Sequence, residues 1–540
     1  MTEQQAGSIV YLGKAAPAAG RGGGSSSGDT SASGGGFAPQ RITNPAIVKE
    51  GGTYSLTWAD PADTIIENQT ICAWAGTLIV RKSGSYPADP TDGTTVLDSK
   101  VRDQHKNTPL VDTPTDATAD YKYRAFPYSA NGVYNLQEQN RFGKFVFTFK
   151  ELMSESSPAH RIVYADDCAN FTPAKMDFTS DVFDWGSWKN NPLVSLDYIR
   201  PCMLYNDDAG ADLKGKVAYY LDPNDHTKKY GTGEASDVAN PDFPGNAMVQ
   251  VRRVFKKVVV DGNTIIKSFS NEKLDDDYEC FSCKKADGTY ADFFYVPMFP
   301  GSFINNKVRS LSGQTVMQSK TAAQEIAGAT ANGAGWYTEV LADNQYFEDL
   351  FKLLFGTTNG QSALGEGVST GDSGALKTTG TTVSKGMMYG ASTTNVAVKF
   401  CYMEHWWAHQ WRRFGGLIFK NGVRWVKLTA STVDGSTAEG YNLDGTGYIQ
   451  LDLPIPSGSS GGYISKIQQA GKYGCFPTVV SGSESTNLCD GYWFNNGIVS
   501  YPCRGGSACD GRLCGPFALY SSDAATHTYW DISAALSYHQ

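Results

Sequence analysis

The residues with the greatest capacity for chemistry lie between Glu404 and Arg413, in the run EHWWAHQWRR. If this run were helical, His405 and His409 would share one face, as paired zinc ligands do. The third ligand and the glutamate placement of a zinc hydrolase are missing, however. The three tryptophans of the run instead indicate a packed aromatic centre with the histidines hydrogen-bonded at its rim. We therefore predict a structural role for this segment.

The cysteines do not form a recognisable metal or redox motif. The Cys280-x-x-Cys283 pair lies among predicted strands, and no second pair follows at zinc-ribbon spacing. The chain contains 11 cysteines, and this odd number argues against an obligatory disulfide framework in a reducing compartment. Pairing after release from the cell stays open for the C-terminal group, Cys475, Cys489, Cys503, Cys509 and Cys514.

The chain also contains short patterns that resemble other functional motifs but lack the flanking elements or the spacing that those motifs require. Residues 24–28 and 458–462 match the spacing of a nucleophile elbow, but both lie in Ser/Gly-rich loops without the flanking strand and helix. Residues 222–225 (DPND) are read as a turn, because their spacing differs from that of a calcium loop. The two carboxylates of a glycosidase can come from anywhere in a chain, so that activity stays open. We predict a binding protein and not an enzyme, with no catalytic residues, no metal and no cofactor.

The elements that would position a binding site are mainly strands. Short alternating runs such as TYSLTW (53–58) and WAGTLIVRK (74–82), separated by Pro, Asp and Gly turns, predict an antiparallel sandwich over residues 42–144. Trp58 and the Tyr121/Tyr123 alternation resemble core positions of immunoglobulin-like or fibronectin type III domains. Residues 145–309 predict a β-rich middle domain, in which VVVDGNTIIK forms a hairpin.

Helices are predicted only in the last region, residues 310–540. We expect a short helix over Thr321–Thr330 and a longer one over Asp343–Phe355, which is capped by Asp343 and stopped by Gly356. The β pattern then returns, which predicts an α+β domain. The fold class is therefore multidomain and mainly β. Ahead of the sandwich, the Gly/Ser-rich residues 1–41 predict a flexible segment that orders only against a partner.

Composition excludes several partners. The chain of 540 residues has a net charge of -9, which gives no basic surface for nucleic acid. No run approaches the roughly 18 apolar residues that span a bilayer, so we predict no membrane insertion. The first residues lack the pattern of a signal peptide, which predicts synthesis and retention in a cytoplasm.

The last fifty residues, from about 489 to 540, have an unusual composition. Aromatics, cysteines, Gly-Gly pairs and small polar residues crowd together without a helical or strand period. From Ser485 to His539 there is no Lys, Glu, Gln or Met, although all four occur elsewhere. Such a composition is typical of a convoluted loop surface on a rigid base, where binding sites are common.

Three segments in this region carry a family resemblance: MEHWWAHQWRRFGGL (403–417), the loops within 490–519, and THTYWDISAALSY (526–538). Together they resemble the C-type-lectin-fold variable proteins made by diversity-generating retroelements, the family that includes the phage major tropism determinant. The preceding regions resemble spacers of phage tail or fibre proteins. The resemblance implies a C-type-lectin-like domain over 310–540 whose variable region is about 489–540. Adenine-directed mutagenesis of Asn-type codons cannot yield Lys, Glu, Gln or Met, so diversification would explain why these four residue types are absent. The alternative explanation is that the composition of loops alone excludes them.

The resemblance implies a phage tail-tip or fibre protein that recognises a protein or glycan receptor on the bacterial host. It would be made in the host cytoplasm, reside in the virion tail, contact other tail proteins through its N-terminal region, and form a homo-oligomer, with a trimer favoured. The framework would include Gly505, Gly506, Gly515, Phe517, Trp530, Ile532 and Leu536. The expected ligand contacts are Tyr492, Trp493, Phe494, Tyr501, Ser507, Asp510, Arg512 and Tyr520.

Three alternatives stay open. The first is an enzyme that degrades surface polysaccharide. The second is a formylglycine-generating-like oxidase of the same fold, for which Cys509 and Cys514 would be the reactive pair. The third is a bacterial surface adhesin, which would need an export or sorting signal.

Overall fold

The computed structural model describes residues 37–66, 69–119, 121–137, 140–153, 160–165, 167–189, 191–428, 447–486 and 488–540. The expectation of a mainly β protein is confirmed, since 38% of the structure is strand and 11% is helix, distributed over several sheets. The chain divides into two compact units, one ending at Val146 and the other spanning Phe147–Gln540. Residues 1–36 of the expected attachment segment lie outside the described residues.

The first unit contains two three-stranded sheets around one core. Its strands are β1 (Thr43–Glu50), β2 (Thr53–Ala59), β3 (Thr64–Ile66), β4 (Gln69–Cys72), β5 (Trp74–Ser83), β6 (Thr94–Ser99), β7 (Leu110–Asp112) and β8 (Tyr121–Ser129). The sheets have the orders β1-β2-β7 and β6-β5-β8, and β3 pairs with β4. Alternation along β2 buries Tyr54, Leu56 and Trp58, which pack with Ile79 and Tyr123 from the other sheet.

The second unit begins with twelve strands. They are β9 (Val146–Leu152), β10 (Arg161–Tyr164), β11 (Lys175–Asp177), β12 (Val182–Asp184), β13 (Ile199–Tyr205), β14 (Val217–Tyr220), β15 (Gly245–Arg252), β16 (Phe255–Asp261), β17 (Thr264–Ser270), β18 (Phe293–Pro297), β19 (Ser302–Ile304) and β20 (Lys307–Arg309). The expected VVVDGNTIIK hairpin is confirmed: β16 pairs with β17, and Gly262 in its turn has a φ of 55°.

The remaining elements mix helices and strands. They are α1 (Ala322–Thr330), β21 (Trp336–Thr338), α2 (Leu341–Phe355), α3 (Gly360–Leu364), β22 (Lys399–Phe400), β23 (Met403–Glu404), β24 (Trp411–Arg413), β25 (Leu417–Lys420), β26 (Val423–Val426), β27 (Ile449–Pro454), β28 (Ser459–Gln469), β29 (Cys475–Val480), β30 (Gly491–Asn495), β31 (Cys503–Arg504), β32 (Leu519–Ser521), β33 (Ile532–Ala534) and β34 (Leu536–His539). Short 3-10 turns lie at Gly186–Trp188, Pro192–Val194, Asp207–Ala209, Phe281–Cys283, Ser373–Ala375, Gly471–Tyr473 and Gly511–Leu513.

Two large sheets organise this unit. One has the order β14-β13-β15-β18-β34-β21, and the other β29-β28-β30-β32-β31-β24-β33. Smaller sheets have the orders β10-β9-β17-β16 and β25-β26-β27, with the hairpins β11-β12, β19-β20 and β22-β23. Because β34 pairs with β18 and β21, the last strand joins the middle and C-terminal regions in one sheet. A domain boundary at residue 309 stays a prediction.

Helix α2 is the central helix of the second unit. It begins two residues before the expected start, with Val340 as its N-cap, so Asp343 lies in the first turn. Gly356 ends it in a left-handed conformation with a φ of 61°, as expected. The apolar residues at helical spacing are buried, namely Phe347, Leu350, Phe351, Leu354 and Phe355, but so is almost every other side chain of the helix.

Buried charges tie α2 to the neighbouring sheet. The Lys267 ammonium lies 2.6 Å from a carboxylate oxygen of Glu151 and 2.6 Å from one of Asp349. Lys352 lies 3.0 Å from Glu151. Burial by itself would raise the pKa of Glu151. The two lysines outweigh this effect and hold that pKa well below its usual range. The charges therefore compensate one another inside the unit.

Candidate functional site

Three aromatic rings meet on one face of the seven-stranded sheet. Trp411 comes from β24, Trp493 from β30 and Tyr520 from β32; we call these three residues the aromatic patch. The ring centre of Trp411 lies 5.5 Å from that of Trp493 and 5.4 Å from that of Tyr520. The parallel pairing of β30 with β32 places Trp493 beside Tyr520. Trp411 is buried, whereas Trp493 and Tyr520 are half-buried and reach solvent.

The opposite face of the same strands is charged and enclosed. Alternation turns Arg412 of β24 and its paired residue Arg504 of β31 away from the aromatic patch. Both approach the Glu339 carboxylate, at 3.4 Å and 3.7 Å respectively. The sheet therefore separates an interior ionic cluster from an aromatic outer face.

Two carboxylates lie at the edge of the aromatic patch. The Ser507 hydroxyl donates to Asp510 Oδ2 at 2.7 Å, and the Ser507 backbone N–H donates to the same oxygen at 2.8 Å. The Cys509 Sγ lies 3.9 Å from Asp531 Oδ2. Burial raises the pKa of Asp510 above its ordinary value, although hydrogen bonds from Ser507 oppose this. Burial, with the nearby Asp510 charge, also raises the pKa of Asp531.

The loop that leads into β33 is held by its backbone. Five of its carbonyl groups accept hydrogen bonds from the surrounding framework: Ala525 from the Ala322 N–H at 2.9 Å, His527 from the Arg413 guanidinium, Tyr529 from the Ser319 N–H at 3.0 Å, Trp530 from the Gln410 side-chain amide at 2.9 Å, and Asp531 from the Trp411 N–H at 2.7 Å. The side chains of residues 526–529 are exposed. The loop is therefore held mainly through its backbone, and of the four exposed side chains His527 also lies 3.2 Å from the Asp523 carboxylate.

Arg413 shows how firmly this loop is anchored. Besides bonding to the His527 carbonyl, its guanidinium donates to Glu325 Oε1 of α1 at 2.9 Å and to the Lys320 carbonyl at 2.9 Å. Burial raises the pKa of Glu325 to about 7, and the Arg413 charge opposes this rise. One buried side chain thus connects β24, α1 and the loop.

The second loop of this face, residues 505–514, is anchored in the same way. The Ala508 N–H donates to the His409 carbonyl at 3.1 Å, and the Gly511 N–H donates to the Ser369 carbonyl at 2.8 Å. Gly506 has a φ of 88°, and a Cβ there would lie 2.6 Å from Cys514 Sγ. Glycine is required at this position, as the framework assignment expects.

Four of the expected contact residues come together on this face. Trp493 and Tyr520 belong to the aromatic patch, and Asp510 lies at its edge. Ser507 is buried and orients Asp510, so it positions a contact residue and is not itself a surface residue.

The other expected contacts lie elsewhere. Tyr492 and Phe494 alternate with Trp493 along β30, so they face the core and are 0% and 2% exposed. Tyr501 packs with Ile418 in a separate buried cluster. Because a receptor cannot reach these three side chains in this conformation, we leave them out of the contact set.

Arg512 is exposed but points to other partners. Its guanidinium lies 3.6 Å from carboxylates of both Glu366 and Glu484. No contact joins it to the aromatic patch within the described residues.

Sequence reasoning missed Trp411, Asp531 and the exposed Tyr529, and it placed Trp530 in the core although that side chain is half-buried. The stretch without Lys, Glu, Gln and Met includes residues 526–531, and this feature of the sequence could have pointed to Tyr529 and Asp531. Ile532 and Leu536 are buried as expected.

The tryptophan-rich run forms a buried centre without zinc-site geometry. Trp406 and Trp407 are buried, which confirms the expected aromatic centre. The run is not helical, and His405, Ala408 and His409 have left-handed backbones with φ of 52°, 61° and 73°. The two imidazoles stack with centres 3.9 Å apart and are buried, and His409 Nε2 accepts a hydrogen bond from the Lys377 N–H at 2.9 Å. Burial lowers the pKa of His405 to about 3.

In the part of the chain that the structure describes, no group of three or more His, Cys, Asp or Glu side chains is placed to hold a metal ion. Among the same residues, no helix has the length and apolarity required to cross a membrane. In comparisons with known proteins, no family model and no curated protein matches this chain.

Proposed function

We propose that this chain is a phage receptor-binding protein of the tail tip or fibre, and that its C-terminal face contacts the surface of the bacterial host. In this proposal the first unit is an immunoglobulin or fibronectin III-like spacer. The C-terminal region is a C-type-lectin-like domain, and the N-terminal segment attaches to other tail proteins in a homo-oligomer, with a trimer favoured.

The main support for the proposal comes from the loop of residues 523–531, whose backbone is anchored by the framework while several of its side chains are exposed. Framework groups hold its carbonyls, while the side chains of residues 526–529 stay in solvent. A loop built in this way tolerates substitution without loss of fold. That is the property required of a binding surface that changes its target by mutation.

The chemistry of the face suits recognition of a varied surface. Trp493 and Tyr520 offer large contact area at low cost in conformational entropy, and such residues often dominate binding energy. The partly exposed Asp510 can accept hydrogen bonds from hydroxyl or amide groups, whereas Asp531 is only 8% exposed. Several copies in one virion would raise a weak individual affinity through avidity.

An oxidase that uses Cys509 and Cys514 is less well supported. Cys514 is buried, its Sγ lies 3.1 Å from the Ser507 carbonyl, and burial raises its pKa well above the ordinary value. Cys509 is exposed, yet partial burial and nearby carboxylates raise its pKa also. A reactive thiol normally has a lowered pKa.

Polysaccharide degradation is a second candidate, favoured by the two carboxylates. Asp510 and Asp531 both interact with Ser507, and burial raises the pKa of each; glycoside hydrolysis requires one such carboxyl group as general acid and the other ionised as base or nucleophile. Incubation of the chain with host capsule, followed by assay of new reducing ends, tests this candidate. Their release by the unmodified chain and loss with Asp531→Asn would favour it over binding alone.

The proposed function is tested by adsorption of the purified, labelled chain to a panel of bacterial cells. We expect strain-restricted binding that is competed by unlabelled chain. Uniform binding to all strains, or none to any, would contradict receptor recognition. Diversification has a separate genomic test, a near-copy of the DNA encoding residues 489–540 that differs at adenines.

A further inference from the structure

An open cleft lies in the Phe147–Gln540 unit, and none of its lining residues belongs to the C-terminal face. It has a volume of about 730 Å³. Its walls come from the β11-β12 hairpin, the turn at Gly186–Trp188, the segment 384–389 and the tip of the β22-β23 hairpin. A cleft of this volume accommodates a small ligand or a segment of a chain-like one.

Aromatic rings line much of the cleft. Phe183 and Trp185 stand edge to face with ring centres 4.8 Å apart, and both remain partly exposed. Tyr389 contributes a third partly exposed ring, and the buried Met387 and Met388 line the cleft beside it. The lining therefore offers flat apolar faces to a ligand.

Tyr402 adds a polar group held in a strained backbone. Cys401 and Tyr402 form the two-residue turn between the paired residues Phe400 and Met403, with φ of 49° and 66°. Such turns normally use Asn or Gly, and non-glycine residues in this conformation often mark functional sites. The Tyr402 N–H donates to the Met387 carbonyl at 2.9 Å, which fixes the turn against the cleft wall.

The hydroxyl of Tyr402 has no protein partner within the described residues, although the side chain is only 3% exposed and lines the cleft. The hydroxyl oxygen is accessible from the cleft, so solvent can satisfy it. A purely apolar occupant such as a lipid chain would displace that solvent and leave the hydroxyl without a hydrogen bond.

The lining contains one carboxylate and two ammonium groups. Asp181 and Lys385 lie 3.7 Å apart, and the Lys385 ammonium also lies 4.1 Å from the centre of the Tyr389 ring. Lys189 is the other charged lining residue and is exposed to solvent. The remaining polar lining comes from neutral groups, including Ser384 and Asn224.

We propose that this cleft binds a neutral oligosaccharide. The C–H face of a pyranose ring is apolar and flat, which suits contact with partly exposed aromatic rings such as those of Trp185 and Phe183. Its hydroxyl groups both donate and accept, so one can satisfy the Tyr402 hydroxyl while others meet Ser384 and Asn224. The proposal does not depend on the function of the C-terminal face.

The test is calorimetric titration of the full chain with maltopentaose, cellopentaose, chitopentaose and mannopentaose, together with tryptophan fluorescence. We expect at least one of them to bind. Tyr402→Phe keeps the ring and removes the hydroxyl, so it should weaken binding by about tenfold, the effect of one lost hydrogen bond. Trp185→Ala should abolish detectable binding. The control Val260→Ala, at a residue of β16 that is 49% exposed and lines neither the cleft nor the C-terminal face, should leave the titration unchanged.

Three results would overturn the proposal. The first is that none of the four oligosaccharides binds. The second is that one binds equally well to Tyr402→Phe and Trp185→Ala chains that have normal circular dichroism spectra. The third is that unstructured peptides displace the sugar completely at equal concentration, which would assign the cleft to a peptide.

Discussion

Trp411 meets Trp493 edge to face, with ring centres 5.5 Å apart and planes at 85°. The two residues lie on strands separated by β32 and β31 in the sheet order. Trp411 is buried, whereas Trp493 is half-buried and reaches solvent. Trp411 therefore supports the face, and Trp493 is the residue of the pair that can contact a ligand.

This division predicts different effects for the two tryptophans. Trp411→Ala should lower the free energy of unfolding by about 3–5 kcal/mol, because it removes a large buried side chain. Trp493→Ala should cost much less stability and should weaken receptor binding by more than tenfold if Trp493 is an anchor. Denaturant unfolding and cell adsorption measure the two quantities. Equal stability losses in the two variants would contradict the division.

Acidification should weaken binding at the C-terminal face. Asp510 and Asp531 have raised pKa values, so they lose their charge at a higher pH than an ordinary aspartate as the solution becomes acidic. The effect on stability has the opposite sign. Because the folded state binds these protons more tightly than the unfolded state, the two groups contribute to the free energy of unfolding at low pH, and this contribution is lost as the pH rises through the raised pKa values. Adsorption measured between pH 7 and pH 4 should fall on the acidic side. The Asp510→Asn/Asp531→Asn chain should bind weakly with a flatter pH profile, and an unchanged profile would exclude these carboxylates.

Gly506 should not tolerate a side chain. Its φ of 88° and the predicted 2.6 Å approach of a Cβ to Cys514 Sγ combine strain with a clash. Gly506→Ala should lower the free energy of unfolding by about 1–3 kcal/mol. Gly458→Ala is the matched control, because Gly458 also has a positive φ, 84°, but has open space around it. Similar losses at both positions would show that packing against Cys514 is unimportant.

Lys267 should be essential to the stability of the second unit. Lys267→Met leaves the buried Glu151 and Asp349 carboxylates with fewer compensating charges, which should cost about 3–5 kcal/mol. The control Lys229→Met breaks an exposed ion pair with Glu234 and should change stability by less than about 1 kcal/mol. Thermal and denaturant unfolding give both values. A small effect of Lys267→Met would mean that water or a neighbouring lysine compensates the carboxylates.

Local pattern predicted many of the elements. The β16-β17 hairpin follows from its Asp-Gly-Asn turn, and α2 follows from its apolar spacing and the terminal Gly356. These features depend on residues close together in the chain. The expected hairpin and the approximate ends of both helices were therefore obtained without tertiary information.

The candidate site depends on contacts that the sequence does not record. Trp411 approaches Asp531 through the parallel pairing of β24 with β33, between residues far apart in the chain. The run Tyr492-Trp493-Phe494 is aromatic throughout, so its pattern could not show which ring faces solvent. Only the sheet, whose alternation buries Tyr492 and Phe494, separates them from Trp493.

Replacement of the four exposed loop residues, 526–529, by Ser-Ala-Ser-Ala tests most directly whether the C-terminal face binds the host. These side chains are exposed while framework donors hold the loop carbonyls, so the free energy of unfolding should change by less than about 1 kcal/mol. Adsorption to a bacterial strain that binds the unmodified chain should fall by more than tenfold, whereas Tyr230→Ala, at a residue 46% exposed outside this face, should bind normally. Unchanged adsorption of the loop variant to that strain would contradict the account.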